Sequence, residues 1–140
     1  MPPVPIRVNS QEIDLSARFQ QTVTVGASPS DNSETIIGTL TLADFGALSV
    51  VSGIRLQGWA ALTVGTSGDG VTLRVRETNV SGTVVCTTGQ TNATAAQLIE
   101  RSVSGFDAGA GVGVYVLTLQ VHAGAAASTV SALFLGATII

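Results

Sequence analysis

A long tract without proline constrains the fold of this chain more than any other feature. The four prolines stand at positions 2, 3, 5 and 29, so none occurs from Ser30 to Ile140. Proline cannot donate a hydrogen bond to a neighbouring strand, and its absence over such a length permits extensive strand pairing. Within the tract, apolar and polar residues alternate with a period of two, as from Tyr115 to His122. This alternation predicts β-strands rather than helices.

Turn signals divide the tract into short strands. Gly68-Asp69-Gly70 and Asn79-Val80-Ser81-Gly82 are two of these signals, and their spacing of about 8 to 14 residues is typical of an all-β sandwich or barrel. No amphipathic segment of helical length alternates with the strands, which argues against a parallel α/β sheet. We therefore predict an all-β fold over residues 20–140: an antiparallel β-sandwich, specifically a jelly roll, of about eight strands.

Residues 92–100 leave two interpretations open. Asn92 is a possible N-cap for one short helical turn. The same segment also fits a loop that enters a strand between Leu98 and Val103. Local periodicity does not decide between them.

Residues 1–19 differ in character from the rest of the chain. Three of the four prolines lie here, and four apolar residues are spaced along the segment: Ile6, Val8, Ile13 and Leu15. We predict an extended N-terminal arm whose apolar side chains dock on a partner; a passive tail is the alternative. The segment lacks the apolar run of a signal peptide. The stretch from Leu133 to Ile140 is shorter than the roughly 20 residues of a membrane-spanning helix, so we expect no membrane partner.

Composition removes most kinds of chemistry. Charged residues make up 11% of the chain and the net charge is −3, which disfavours a nucleic-acid partner, because such partners need clustered cations. One cysteine and one histidine cannot form a disulfide framework or a thiolate zinc cluster. We expect no catalytic residue, no metal and no cofactor, and we predict that the chain is not an enzyme.

The residues that could carry chemistry have simpler interpretations. His122 lies on the polar side of its strand with no carboxylate nearby in sequence, which favours a surface or interface histidine. Cys86 fits a small buried apolar residue. Asp69 and Asp107 each stand alone beside glycines, which favours turns over calcium loops.

Three surface positions are candidates for contact with a partner. Arg74 and Arg76 share the polar side of one strand, where they could form a shallow contact site for an anionic group; solvated edge charges or salt bridges at an interface are the alternatives. Trp59 falls on the polar side of its strand, beside Gln57. An exposed tryptophan is suited to an interface anchor or to a platform for a sugar.

The last strand is apolar on both sides. Leu133, Leu135 and Ile139 alternate with Phe134 and Ile140 towards its end. A strand of a small antiparallel sheet usually keeps one side in water. We therefore predict that these five residues lie at an interface between subunits. Cover by the arm of the same chain is the alternative.

Two parts of the sequence resemble jelly-roll modules of tailed-phage structural proteins. They are Val71–Glu77, followed by a Ser-Gly turn, and the pair of segments Val114–Val121 and Ser128–Leu135. Modules of that kind include trimeric capsid decoration (cement) proteins and domains of tail and fibre tips. The resemblance implies a homotrimer on the capsid surface of a virion, bound to major capsid protein subunits and clamping them together. The alternative that it implies is a tail or fibre module that recognises a host glycan through Trp59 and the loops.

Overall fold

Strands form all of the regular structure in the part of the chain that the computed structural model describes. That part comprises residues 21–23, 32–42, 53–65, 70–92, 94, 97–108, 113–122 and 128–139. The strands are β1 (Gln21–Val23), β2 (Glu34–Thr41), β3 (Ile54–Thr63), β4 (Gly70–Glu77), β5 (Val84–Thr87), β6 (Thr91–Asn92), β7 (Ile99–Asp107), β8 (Val114–His122) and β9 (Thr129–Ile139). Because β6 has only two residues, the prediction of an all-β fold with about eight strands is confirmed.

The strands build two sheets. The larger has the order β1-β2-β8-β4-β5, with β6 also beside β4, and the smaller has the order β7-β3-β9. Every pair is antiparallel. The chain crosses from one sheet to the other between β2 and β3, between β3 and β4, between β6 and β7, and again on each side of β8. This order is that of a jelly roll, which confirms the predicted antiparallel β-sandwich.

The core lies between the two sheets and follows the alternation in the sequence. Tyr115, Leu117, Leu119 and Val121 of β8 are all fully buried. Facing them from the small sheet are Leu56 and other apolar residues of β3 and β9. Full burial of a large aliphatic side chain contributes about 1.5–3 kcal/mol, so this layer holds the sheets together.

A β-bulge moves one core position away from the place that alternation predicts. The alternation in the sequence predicts that Ile36, Leu40 and Leu42 all face the core. The register of β2 on β8 shifts between Ile36 and Gly38, and Ile37 is fully buried instead while Ile36 is only partly buried. A bulge inserts one residue and inverts the sides of the strand. Gly38, inside the strand, is the signal in the sequence that could have indicated it.

Two of the apolar residues of β9 are buried inside their own chain, whereas the sequence predicted burial between subunits. Leu133 and Leu135 pair with Ala60 and Gly58 of β3 and belong to the core of their own chain. Their burial therefore needs no second subunit, which corrects the reasoning that placed them at a subunit interface. Phe134 points to the other side and is partly buried. The side chain of Ile139 and the whole of Ile140 lie outside the described residues, as does the arm of residues 1–19.

The structure describes only part of residues 92–100. The chain enters β7 at Ile99, and no helix is assigned to the described residues of this segment. The entry into a strand near Leu98 is therefore confirmed, whereas residues 93, 95 and 96, on which the helical-turn interpretation rests, lie outside the described residues.

Two inward-facing glycines allow the sheets to approach closely. A Cβ atom on Gly58 of β3 would lie 2.6 Å from Leu117 Cδ1 in the opposite sheet. One on Gly105 of β7 would lie 2.5 Å from the Cβ of Cys86 and 3.0 Å from its Sγ. A side chain at either position would force the opposed strands apart.

We expect Gly105→Ala to lower the free energy of unfolding by about 1–3 kcal/mol, because the added methyl group overpacks the contact with Cys86. Gly89→Ala is the matched control, since a Cβ there meets nothing within 4 Å. The control should be neutral or slightly stabilising, because alanine restricts the unfolded chain. Urea denaturation of both variants measures the difference, and equal stabilities would contradict the close approach at Gly105.

Candidate binding surface

Each sheet has one face in the core and one face directed outward, and the two outward faces differ in chemistry. On the large sheet, an ion-paired cluster is centred on Glu34 of β2. Arg76 Nε and Nη2 donate to the two carboxylate oxygens of Glu34 over 2.7 and 2.8 Å. Thr118 Oγ1 donates to the same carboxylate over 2.5 Å, and Arg74 Nη1 lies 3.5 Å from it. The cluster ties together β2, β8 and β4, which are neighbours in the sheet.

Both arginines that the sequence singled out are engaged in this cluster. Arg74 also donates to Gln120 over 2.8 Å, and Arg76 to the carbonyl oxygen of Gly82 over 2.8 Å. Their side chains are 20% and 17% exposed. The ion pairs with Glu34 lie within the chain, a use that the sequence interpretation did not include.

The surroundings of Glu34 favour its ionised form. Burial by itself would raise the pKa of Glu34, but the hydrogen bonds from Arg76 and Thr118 and the charges of both arginines outweigh it, so the pKa is lowered. A bidentate arginine–carboxylate pair is among the stronger polar contacts in proteins. The charges of this cluster therefore satisfy one another, and the cluster offers little to a charged ligand.

The other titratable candidates also have structural partners or surroundings. His122 Nε2 and Thr72 Oγ1 are 2.9 Å apart and share a hydrogen bond. Cys86 is partly buried, and burial raises the pKa of its thiol. Asp107 ends β7 and accepts a 2.7 Å hydrogen bond from the hydroxyl of the buried Tyr115. This bond joins the two sheets, a role that the interpretation of Asp107 as a turn residue missed.

Burial and the Asp107 carboxylate raise the pKa of Tyr115 far above its ordinary value, so the hydroxyl keeps its proton and acts as the donor.

Within the described ranges, no three His, Cys, Asp or Glu residues come together as a possible metal site. In the same ranges, no helix is long and apolar enough to cross a membrane.

The outward face of the small sheet is open and aromatic. Trp59 of β3 pairs with Phe134 of β9 on one side and with Ser102 of β7 on the other. Gln57, one step along on the same face, pairs with Ser104 and Gly136. Together these side chains line a groove of about 360 Å³. The sequence pointed to Trp59, but it did not show which residues of other strands stand beside it.

Comparison with known proteins identifies the fold and no closer relationship. No family model matches the sequence, and no curated protein does. A structure of infectious bursal disease virus, Gx strain, matches with a TM-score of 0.60 and 12% identity, over 88% of this chain and 32% of that one. The VP2 subviral particle of the same virus matches with a TM-score of 0.60 and 11% identity, over 88% and 32%.

The chain thus spans about a third of the length of these viral protein chains. At this identity the likeness establishes a shared β-sandwich fold and transfers no residue role. It agrees with the jelly-roll fold that the resemblance seen in the sequence implies, and it does not test the relation to tailed phages.

We expect Glu34→Gln to lower the free energy of unfolding by about 1–3 kcal/mol at about pH 7, because the two arginines lose their charged acceptor. The folded-state pKa of Glu34 lies below its ordinary value of 4.5, so the carboxylate stabilises the fold above that pH. This stabilisation is lost as the pH falls through the folded-state pKa. The gap between wild type and variant should therefore narrow at about pH 3.

Chemical denaturation at the two pH values measures that gap. Glu100→Gln is the control, since Glu100 is an exposed carboxylate on β7 and no ion pair of its side chain is found in the described structure. It should change stability by less than about 0.5 kcal/mol. A loss for Glu34→Gln that is the same at both pH values would show that the charge of Glu34 is not what stabilises the sheet.

Proposed function

We propose that this chain is a structural protein of a virus particle, one that acts by binding protein surfaces and catalyses no reaction. The observation that carries the proposal is the match of 88% of the chain to the fold of a viral capsid protein, at a TM-score of 0.60. The side-chain chemistry agrees with it. In the described structure, Glu34, Asp107 and Tyr115 are engaged in contacts that hold strands and sheets together.

More specifically, we propose a capsid decoration protein that binds major capsid protein subunits from outside as a homotrimer. Charged residues form only 11% of the sequence, whereas a freely soluble small domain usually carries more charge on its surface. Association with copies of itself and with a shell would cover part of this weakly charged surface. A clamp of this kind would stabilise the shell by burying surface against several of its subunits at once.

The arm of residues 1–19 is the proposed fastener. Its prolines favour an extended chain and reduce the conformational entropy lost when the arm docks. Its four apolar side chains, Ile6, Val8, Ile13 and Leu15, would make the contact with the shell. Together they need to supply only about 1.4 kcal/mol to tighten binding tenfold.

For the trimer, we expect a mass of about 42 kDa by light scattering at micromolar concentration, three times the 14.1 kDa of one chain. A mass of one chain at that concentration would contradict the trimer. Phe134→Ser tests whether the trimer uses the outward face of the small sheet. A lower mass with little change in melting temperature would place that face between subunits, and an unchanged mass would leave it open and place the interface elsewhere.

For attachment to the shell, we expect the chain to sediment with capsids assembled from the major shell protein of the same virus. Replacing Ile6, Val8, Ile13 and Leu15 by serine should weaken this binding at least tenfold, because the arm loses its apolar contacts. A control with Asn9→Ser and Gln11→Ser keeps the length and the prolines of the arm and should bind normally. Absence of wild-type binding would contradict the decoration function, and normal binding by the fourfold variant would contradict the fastener alone.

A further inference from the structure

The groove on the outward face of the small sheet is built for a ligand of definite chemistry. Its aromatic wall consists of Trp59 and Phe134, which stand directly opposite each other on neighbouring strands. The ring of Phe134 lies over the backbone of Gly136: a Cβ atom there would be only 2.4 Å from Phe134 Cζ. Because Gly136 has no side chain, the ring of Phe134 can lie on the sheet at that position, next to Gln57 of β3.

The polar side of the groove has unused hydrogen-bonding groups. Gln57, Ser102 and Ser104 project from the sheet and are exposed. No hydrogen bond from these three side chains to another group is found within the described structure. One amide and two hydroxyl groups, all able both to donate and to accept, thus border the aromatic wall.

The side chains that line the groove carry no charge. Among the described residues, Arg55 and Glu100 are the charged ones on this face. Arg55 lies beyond Gln57 on β3 and Glu100 lies beyond Ser102 on β7, at opposite ends of the groove, and their charges have opposite signs. An anionic or cationic ligand would lose water on entering the groove without gaining a charged partner. The lining is therefore complementary to a neutral molecule that has a flat apolar face and several hydroxyl groups.

We propose that this groove binds a neutral carbohydrate. Trp59 and Phe134 would pack against the C–H face of a sugar ring, and Gln57, Ser102 and Ser104 would bind its hydroxyl groups. The volume of about 360 Å³ is near the lower end of the usual range for ligand pockets, roughly 300–1,000 Å³. It suits a short stretch of glycan. This activity goes beyond the proposed structural function, since a particle protein could carry it on a face directed away from the shell.

The position of the groove argues against an added peptide strand. An extended peptide usually adds to a sheet through the free backbone groups of an edge strand. Trp59 and Gln57 belong to β3, whose backbone is paired with β7 on one side and with β9 on the other. A ligand here meets side chains and backbone that is already paired within the sheet, which is the situation of a sugar stacked on an aromatic platform.

Trp59 is the chain's one tryptophan, so its fluorescence reports directly on the groove. The full chain is titrated with neutral oligosaccharides of glucose, mannose, xylose and galactose, and with sialylated lactose as a charged probe. We expect a saturable change in emission with at least one neutral probe and weaker binding of the charged one. No change with any neutral probe would overturn the proposal, as would a shift in emission caused by protein concentration alone, which would indicate a second copy in the groove.

Variants then test the assigned contacts by calorimetry with the neutral probe that binds. Gln57→Ala and Gly136→Ala should each weaken binding at least tenfold, the second because its methyl group displaces the ring of Phe134. Val84→Ala is the control: it removes apolar surface from an exposed residue of β5, on the other sheet, and should bind normally. Unchanged binding by Gln57→Ala and Gly136→Ala, with melting temperatures retained, would overturn the proposal. Binding to capsids is measured separately, so failure here leaves the structural function standing.

Discussion

The packing of β3 against β8 is the contact on which the rest of this structure depends. Each is an inner strand of its sheet, and the two sheets meet where Gly58 of β3 leaves room for Leu117 of β8. Because protein interiors are close-packed, this contact fixes the distance between the sheets. It also commits the apolar side of both strands to the core. What remains for function is the outward side of each sheet, together with its loops and edges.

Different interactions order the side chains on the two outward faces. On the large sheet, the carboxylate of Glu34 is held by Arg76 and Thr118, and the charges satisfy one another. Such a cluster stiffens the face and aligns three strands, but it leaves little electrostatic attraction for a partner. On the small sheet, Trp59 and Phe134 are held in place by strand pairing and by the space over Gly136. Apolar area and unpaired polar groups lie together there, a combination typical of ligand sites.

The sequence predicted the fold well because the inward residues of most strands keep a strict period of two, as Tyr115, Leu117 and Leu119 do. It failed where the period is broken. The bulge beside Ile36 brought Ile37 into the core instead. The prediction for β9 was also ambiguous. Apolar residues on both sides of a strand indicate that both sides are buried, but they do not show which side faces the core of the same chain.

The candidate site was harder to predict because it depends on register between distant segments. Trp59 could be singled out from its place on the polar side of a strand. Its neighbours Ser102 and Phe134 are 43 and 75 positions further along the chain and meet it only through the pairing of β3 with β7 and β9. The pairing of Glu34 with Arg76, 42 positions apart, was hidden for the same reason. The periodicity of one strand shows which side a residue faces, but not which residue of a distant strand lies beside it.

The most direct measurement of whether this chain is a structural part of a virus particle is its copy number in purified particles. The account requires a virus whose genome encodes the chain, and quantitative mass spectrometry of its particles supplies that number, relative to the major shell protein. A structural protein that binds the shell repeatedly should be present in a fixed ratio to the shell protein, in every preparation and after washing at high salt. Absence from the particles, or a trace amount that varies between preparations, would contradict a structural function.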